Sequence, residues 1–309
     1  MDIRPNIRRA LAAPLPGVRP GRLVSGAARS RIQSLRTRLA RIEPGAALEL
    51  SARIGYAARG VVYLGLGFIA LLAAMDLTPR AKGAREVLQA WSTWPLGGVL
   101  ITGVGFGLAG FAVWRAVQAV FDADHHGRSA KACAVRAGQA ISGFVYGGLA
   151  LSAFELLDVF EDLGEADEAG SLRETSATVL GTPHGDLLLL AMGLVVVGFG
   201  VGNVVQGLVQ DFAKRLACDT RLCRRVAPLA KLGYAARGLA TLPLGVFLVM
   251  AGWHARAAEA RSWGQALQSV EQRPFGDLAM AILATGLIAF GLFGFVEARY
   301  RRIRPPEIL

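Results

Sequence analysis

Two arginines stand just before long apolar runs: Arg59 in "IGYAARG" (54–60) and Arg237 in "LGYAARG" (232–238). A guanidinium at the edge of an apolar segment has few roles open to it. It reaches out to headgroups along its aliphatic stem, pairs with a carboxylate, or serves an anion or proton pathway. Gln118, Gln206 and Glu297 close three other apolar runs in matching register, and Asn203 lies deeper in one of them. The arginines are expected to snorkel to lipid phosphates. An ion pair of Arg237 with Glu297 and a functional anion or proton site are the alternatives. Asn203 is expected to be an interhelical hydrogen-bond partner rather than a ligand.

The other polar groups carry less. "DADHH" (122–126) brings carboxylates and imidazoles together, a donor set that a transition metal uses, but a polar interfacial loop is the expected reading. Cys218 and Cys223 have no second pair in reach for a zinc site. The acidic run between Glu155 and Glu174 does not follow the spacing of a calcium loop, and reads as a solvated, translocated loop. His184 and His254 fall at the edges of apolar runs. "GVGFG" (103–107) lies inside such a run, without the strand that a phosphate loop requires. No Ser-His-Asp grouping or catalytic carboxylate pair can be assembled. The expectation is a protein with no enzymatic activity, no metal and no cofactor.

The apolar runs are the elements that position these groups. Six of them are nearly free of charge: 60–75, 96–114, 137–154, 187–210, 238–253 and 278–296. Each approaches the roughly 20 residues that a membrane-spanning helix needs. The first and fifth become long enough if their helices begin near Tyr56 and Tyr234. The expected fold is therefore all-α, a polytopic bundle of six transmembrane helices.

The net charge of +11 could suggest nucleic acid, but its distribution points to topology. Of 34 basic residues, 27 fall before the first run, in the second-to-third and fourth-to-fifth connections, and in the tail. Basic loops stay on the cytoplasmic side, which puts both termini inside a cell inner membrane and excludes nucleic acid as the reason for the charge. The bilayer is the expected partner, with anionic lipid at the basic face and an unidentified protein partner open. Cys133, Cys218 and Cys223 then lie where thiols stay reduced. Residues 1–50 are rich in Arg, Pro and Gly and are expected to be mostly disordered. Ile32, Leu35, Leu39 and Ile42 recur there at helical spacing, as in a short amphipathic helix. Labelling of single cysteines should find residue 165 accessible from outside and residue 221 from inside; the reverse pattern would overturn this orientation.

The near-identity of the two heptapeptides is one sign of a longer repeat. With Gly55 placed over Gly143 and Gly233, at offsets of 88 and 90 residues, Pro95-Leu96-Gly97, Pro183-His184-Gly185 and Pro274-Phe275-Gly276 also align. So do Gln118, Gln206 and Glu297, each 23 residues beyond its proline. One unit occurs three times, at 51–135, 136–226 and 227–302, between the basic segment and a tail at 303–309. Each unit reads as helix, outer loop, Pro-x-Gly, helix. The proline is expected in the first turn of the second helix, where its missing N–H is not needed. In the middle unit the heptapeptide has become "SGFVYGG", with Gly147 at the arginine position. Small residues recur 10 and 17 residues past each proline: Gly105 and Ala112, Gly193 and Gly200, Ala284 and Gly291. These let helices approach closely in lipid, and they mark the expected seams. Units with an even number of spans all point the same way, which predicts approximate three-fold symmetry about the membrane normal.

The stretches "ARIGYAARGVVYLGLGFIALLAA" (52–74) and "AKLGYAARGLATLPLGVFLVMAG" (230–252), with their Pro-x-Gly-opened partner helices, resemble a bacterial inner-membrane family catalogued as domain of unknown function 1206. The resemblance covers residues 51–302. It implies three helix pairs in a membrane and supplies no activity. The functional expectation is a non-enzymatic scaffold that organises partners or lipids. The alternative is a transporter or channel for a small solute or ion, with a path between the repeats.

Overall fold

The computed structural model describes residues 44–78, 82–158 and 168–303. The amphipathic stretch near Ile32, most of the acidic run after Asp158 and the tail beyond Ile303 lie outside them. Six helices are long and apolar enough to cross a membrane: α1 (Pro44–Ala74), α3 (Gly97–Phe121), α4 (Ala130–Asp158), α6 (Gly185–Val209), α7 (Thr220–Trp253) and α9 (Gly276–Tyr300). The odd member of each pair begins well before its apolar run. Residues 44–50, expected in the disordered segment, instead form the first turns of α1. Among the described residues the chain contains no strand.

The other three helices are short and were not legible as separate elements. They are α2 (Ala84–Ser92), α5 (Glu168–Leu180) and α8 (Trp263–Glu271). Each ends three residues before a repeat proline, so the outer connections are helical in all three units. α2 and α8 are amphipathic. Val87, Leu88 and Trp91 of α2 are buried, as are Ala266 and Leu267 of α8. A capping box in which Ser262 and Gln265 exchange hydrogen bonds starts α8.

The Pro-x-Gly signature has a different meaning from the one its sequence suggested. The helices begin at Gly97, Gly185 and Gly276, so each proline sits two residues ahead of the first turn rather than inside it. The glycine is the constrained residue. A β-carbon there would lie 1.9 Å from the Trp91 carbonyl, 1.9 Å from that of Val179 or 1.8 Å from that of Glu271. The chain must double back against the short helix just completed, and only glycine leaves room for it.

The spans form a ring with one open seam. Within the first unit, Gly55 of α1 meets the Phe111 backbone of α3, and Ala58 meets Gly107. Within the third, Gly233 of α7 meets the Phe290 backbone of α9, and Ala236 meets Gly286. Between units, Gly60 of α1 crosses Gly291 of α9, and Gly238 of α7 crosses Gly200 of α6. α4 packs on α3, where Gly143 lies against the Ala112 carbonyl. The middle unit differs. Among the described residues α4 packs on α3 and α6 packs on α7, while α4 and α6 share no comparable interface. The physical reason is in the side chains. The Ala–Gly contacts Ala58–Gly107 and Ala236–Gly286 become Tyr146 and Val195 at the matching positions, which are too bulky for the same approach. The α4 and α6 spans are accordingly the least buried, 28% and 22% against 44–50% for the others.

The expected seam residues lie at contacts of uneven tightness. A β-carbon on Gly193 would be 2.5 Å from the Val249 backbone nitrogen, and one on Gly291 2.8 Å from the Gly60 carbonyl. At Gly105 the nearest atom is only the Phe154 ring edge at 3.1 Å. Ala284 is fully buried, and its carbonyl faces Gly67.

One expectation about the cysteines is corrected. Cys218 and Cys223 form a disulfide rather than remaining free thiols. The turn that starts α7 at Asp219 sets their Cα atoms 5.7 Å apart, within bridging range. Cys133 is free and exposed.

Candidate functional site

The basic ends of the spans converge on a buried polar cluster. Repeat register explains its frame. Phe111, Phe199 and Phe290 occupy the same position in the second span of each unit, α3, α6 and α9. The Arg59 guanidinium lies over the rings of Phe111 and Phe290, at 5.1 and 4.8 Å from their centroids. The Arg237 guanidinium lies over Phe290 and Phe199, at 5.0 and 4.9 Å. Each arginine is thus held between the phenylalanine of its own unit and that of the neighbouring one. Cation–π contact of this kind is worth about 2 kcal/mol or more when desolvated.

Neither arginine reaches lipid. Arg59 is 0% exposed and Arg237 7%, which corrects the snorkelling expectation. The ring of repeats turns the arginine-bearing face inward, and a guanidinium buried there needs partners more than it needs headgroups. The alternative, a pair of Arg237 with Glu297, is also corrected. It is Arg59 whose Nη2 donates to Glu297 Oε2. Glu297, 3% exposed, accepts a second bond from Arg301 Nη1 at 2.7 Å. Arg301 Nη2 lies 3.5 Å from Asp124. Asp124 in turn accepts from Gln118 Nε2 at 2.6 Å and Gln139 Nε2 at 3.1 Å. The result is a ladder of alternating charge, Arg59–Glu297–Arg301–Asp124, closing the basic end of the bundle. Burial alone would lower the Arg301 pKa, but Tyr56, Glu297 and Asp124 beside it raise it above the usual arginine value.

Arg237 has a different environment. Its Nε donates to Tyr63 Oη at 2.9 Å. Its other nitrogens make longer contacts, 3.4 Å to Asn203 Oδ1 and 3.5 Å to Tyr146 Oη. Tyr63 and Tyr146 hydroxyls are themselves 3.5 Å apart. Among the described residues Arg237 forms no ion pair. Repeat register accounts for this. Arg59 takes its carboxylate from the position 23 residues past the proline of the preceding unit around the ring, Glu297. The corresponding position for Arg237 is Gln206, which is neutral.

Among the described residues the cluster is therefore unbalanced. Arg59, Arg237 and Arg301 are buried. Arg115 adds a fourth cation, over Phe111 at 4.9 Å and bonded to Gln118 Oε1 at 3.1 Å. Glu297 and Asp124 are the carboxylates bonded within it. Arg59 Nε and Nη1 and Arg115 Nε are buried donors without a hydrogen-bond partner. Each such donor, if left unmet, costs roughly 1–3 kcal/mol, more when charged. An arrangement with surplus cations, hydroxyl and amide groups and aromatic walls has the chemistry of an anion site.

Sequence reading placed Arg59, Arg237, Asn203, Gln118 and Glu297 in this region, and the structure brings all five into the cluster. Gln206 lies on α6 one turn from Asn203 and is half-buried. Asp124, Arg301, Tyr63 and Tyr146 were missed. A signal for Tyr146 did exist. It stands where the other units have Ala58 and Ala236, beside the lost arginine at Gly147. "DADHH" divides its roles: Asp122 accepts from the Gly127 and His126 backbone N–H groups, which hold its carboxyl below the usual range, while Asp124 points into the ladder. Among the described residues no group of three His, Cys, Asp or Glu side chains could hold a metal ion. His254 bonds Glu259 at 2.7 Å at the opposite end.

A family model described as Domain of Unknown Function (DUF1206) matches the chain three times, at residues 54–122, 137–210 and 232–301. The chain is also 30% identical over 256 residues to "Uncharacterized protein YxxB" of Bacillus subtilis (strain 168), a match spanning 81% of this chain and 90% of that protein. No solved structure matches it significantly. The matched segments carry the six apolar helices, the paired heptapeptides and the Pro-x-Gly turns described above, and the chain belongs to the family of Domain of Unknown Function 1206.

Proposed function

We propose that this protein is an inner-membrane anion-binding protein of the transporter class, with both termini cytoplasmic and Arg237 as the anion-holding group. The observation that carries the reading is the inequality of the two repeat arginines. Arg59 has Glu297, whereas the repeat offers Arg237 the neutral Gln206. Burying a charge without compensation is expensive, and a bound anion supplies the missing counter-charge. The arginine bias of the connections supports the orientation; the Cys218–Cys223 disulfide, which that orientation places on the reducing side, speaks against it. The same basic end suits anionic lipid headgroups. The reading requires no catalytic residue.

A scaffold is the second reading, and one observation favours it. Two surface clefts, one lined by Phe68, Trp91 and Trp94 and the other by Leu239, Pro243, Phe247 and Arg273, are mainly apolar and include neither Arg59 nor Arg237. A solute path reaching Arg237 through the basic end requires a rearrangement there.

Thermal unfolding in phosphatidylcholine nanodiscs separates the two readings. Acetate, chloride and phosphate are compared at constant ionic strength. At least one should raise Tm of the native protein, with a stabilisation that mass action sets at about 2.7 kcal/mol when the ligand is at 100 times its Kd. Arg237→Gln should abolish the response; because it also loses the contacts with Tyr63, Phe199 and Phe290, the readout is the anion-induced change in Tm and not the anion-free Tm. Equal responses of the native protein and Arg237→Gln would remove the anion site and leave the scaffold.

A further inference from the structure

The open seam of the middle unit identifies the class of anion. We infer that the ligand is an amphiphile with a single ionised head group, entering from the bilayer between α4 and α6 so that its head reaches Arg237 and its chain stays in the seam. This rests on the anion reading of Arg237 and extends it.

Three observations converge. First, the ring is sealed by close Gly contacts within the first and third units but not within the middle one, where Tyr146 and Val195 replace the Ala–Gly pair. Second, both helices beside that seam contribute to the lining of Arg237, together with Tyr63 of α1 and Phe290 of α9. α4 contributes Tyr146 and α6 contributes Asn203 and Phe199. Arg237, unpaired among the described residues, thus lies at the head of the unsealed seam, whereas the paired Arg59 lies between sealed helices. Third, the seam is apolar and unfilled on the α6 side. Val195 is 47% exposed, and a β-carbon on Gly198 would meet nothing within 4 Å. Gly198 stands at the repeat position of Gly110, which in the first unit packs on the Ser51 carbonyl at 3.0 Å. An apolar slot ending in a surplus cation is complementary to a chain ending in an anion. A hydrophilic anion would gain nothing from the slot.

The test compares oleate with acetate, which share a carboxylate and differ in the chain. Both are titrated against the full-length protein in phosphatidylcholine nanodiscs, and the midpoint of the Tm rise is read for each. Oleate should act at a concentration at least 100-fold lower than acetate. Partition into the bilayer alone would give such a ratio, so the decisive variant fills the seam. Gly198→Phe should reduce the oleate-to-acetate ratio at least tenfold, and Arg237→Gln should remove both responses. An unchanged ratio in Gly198→Phe overturns lateral entry and leaves the anion site in place. Absence of any anion response in the native protein overturns the anion site and this inference with it.

Discussion

Glu297→Gln is expected to destabilise the bundle by about 3–5 kcal/mol, the range for breaking one side of a buried ion pair. Glu297 is the hinge of the charge ladder, bonded to Arg59 on one side and Arg301 on the other. The amide keeps the shape but removes the charge, so Arg59 loses its counter-ion while Arg301 keeps only the longer contact with Asp124. Arg59 is the worse affected, since it is fully buried and two of its nitrogens already lack partners. Thermal unfolding in detergent should show Tm lower by on the order of 10 °C. Adding Arg59→Gln to the Glu297→Gln protein should recover part of that loss, because the orphaned charge is then gone. A Tm within about 1 °C of the native value would show that the ladder does not hold the basic end together.

Gly291→Leu should cost about 3 kcal/mol or more by overpacking. Gly60 and Gly291 cross with each missing β-carbon within 2.8 Å of the other's carbonyl. The obstacle is backbone on both sides, so no side-chain rotation relieves it. The helices must separate, and in lipid no hydrophobic drive compensates for lost contact. Gly105→Leu should cost less, because the atoms it meets belong to the Phe154 and Ala153 side chains, and a phenylalanine ring can turn. Gly198→Leu, with open space around it, should be near neutral. Chemical or thermal unfolding of the three variants should rank them in that order; equal losses would contradict the seam assignment.

The architecture was legible because the bilayer imposes it. Apolar length gives the spans, and three-fold self-similarity gives their grouping. Small residues at fixed offsets also point to helix contact without any knowledge of the partner. What sequence could not supply was direction. Arg59 and Arg237 look alike in their heptapeptides, and nothing local to either says whether it faces lipid or core. Pairing was equally hidden. Arg59 takes its acid from a residue 238 positions away, and only the closure of the ring makes the third unit a neighbour of the first. The short helices α2, α5 and α8 were lost for another reason, since nine to thirteen residues of mixed polarity read as a loop. The open seam was written in the middle unit as Tyr146 and Val195, but its meaning appears only when the Ala–Gly contacts of the other two units are seen.

The account rests on Arg237 being a cation for which the described residues supply no counter-charge, and Gln206→Glu tests that most directly. The substitution places at Gln206 the carboxylate that Glu297 offers Arg59. In nanodiscs without added anion, the Gln206→Glu protein should melt above the native one, and its Tm should no longer respond to the anion that raises the native value. A Gln206→Glu protein that melts no higher and responds to anion as the native protein does would contradict the account.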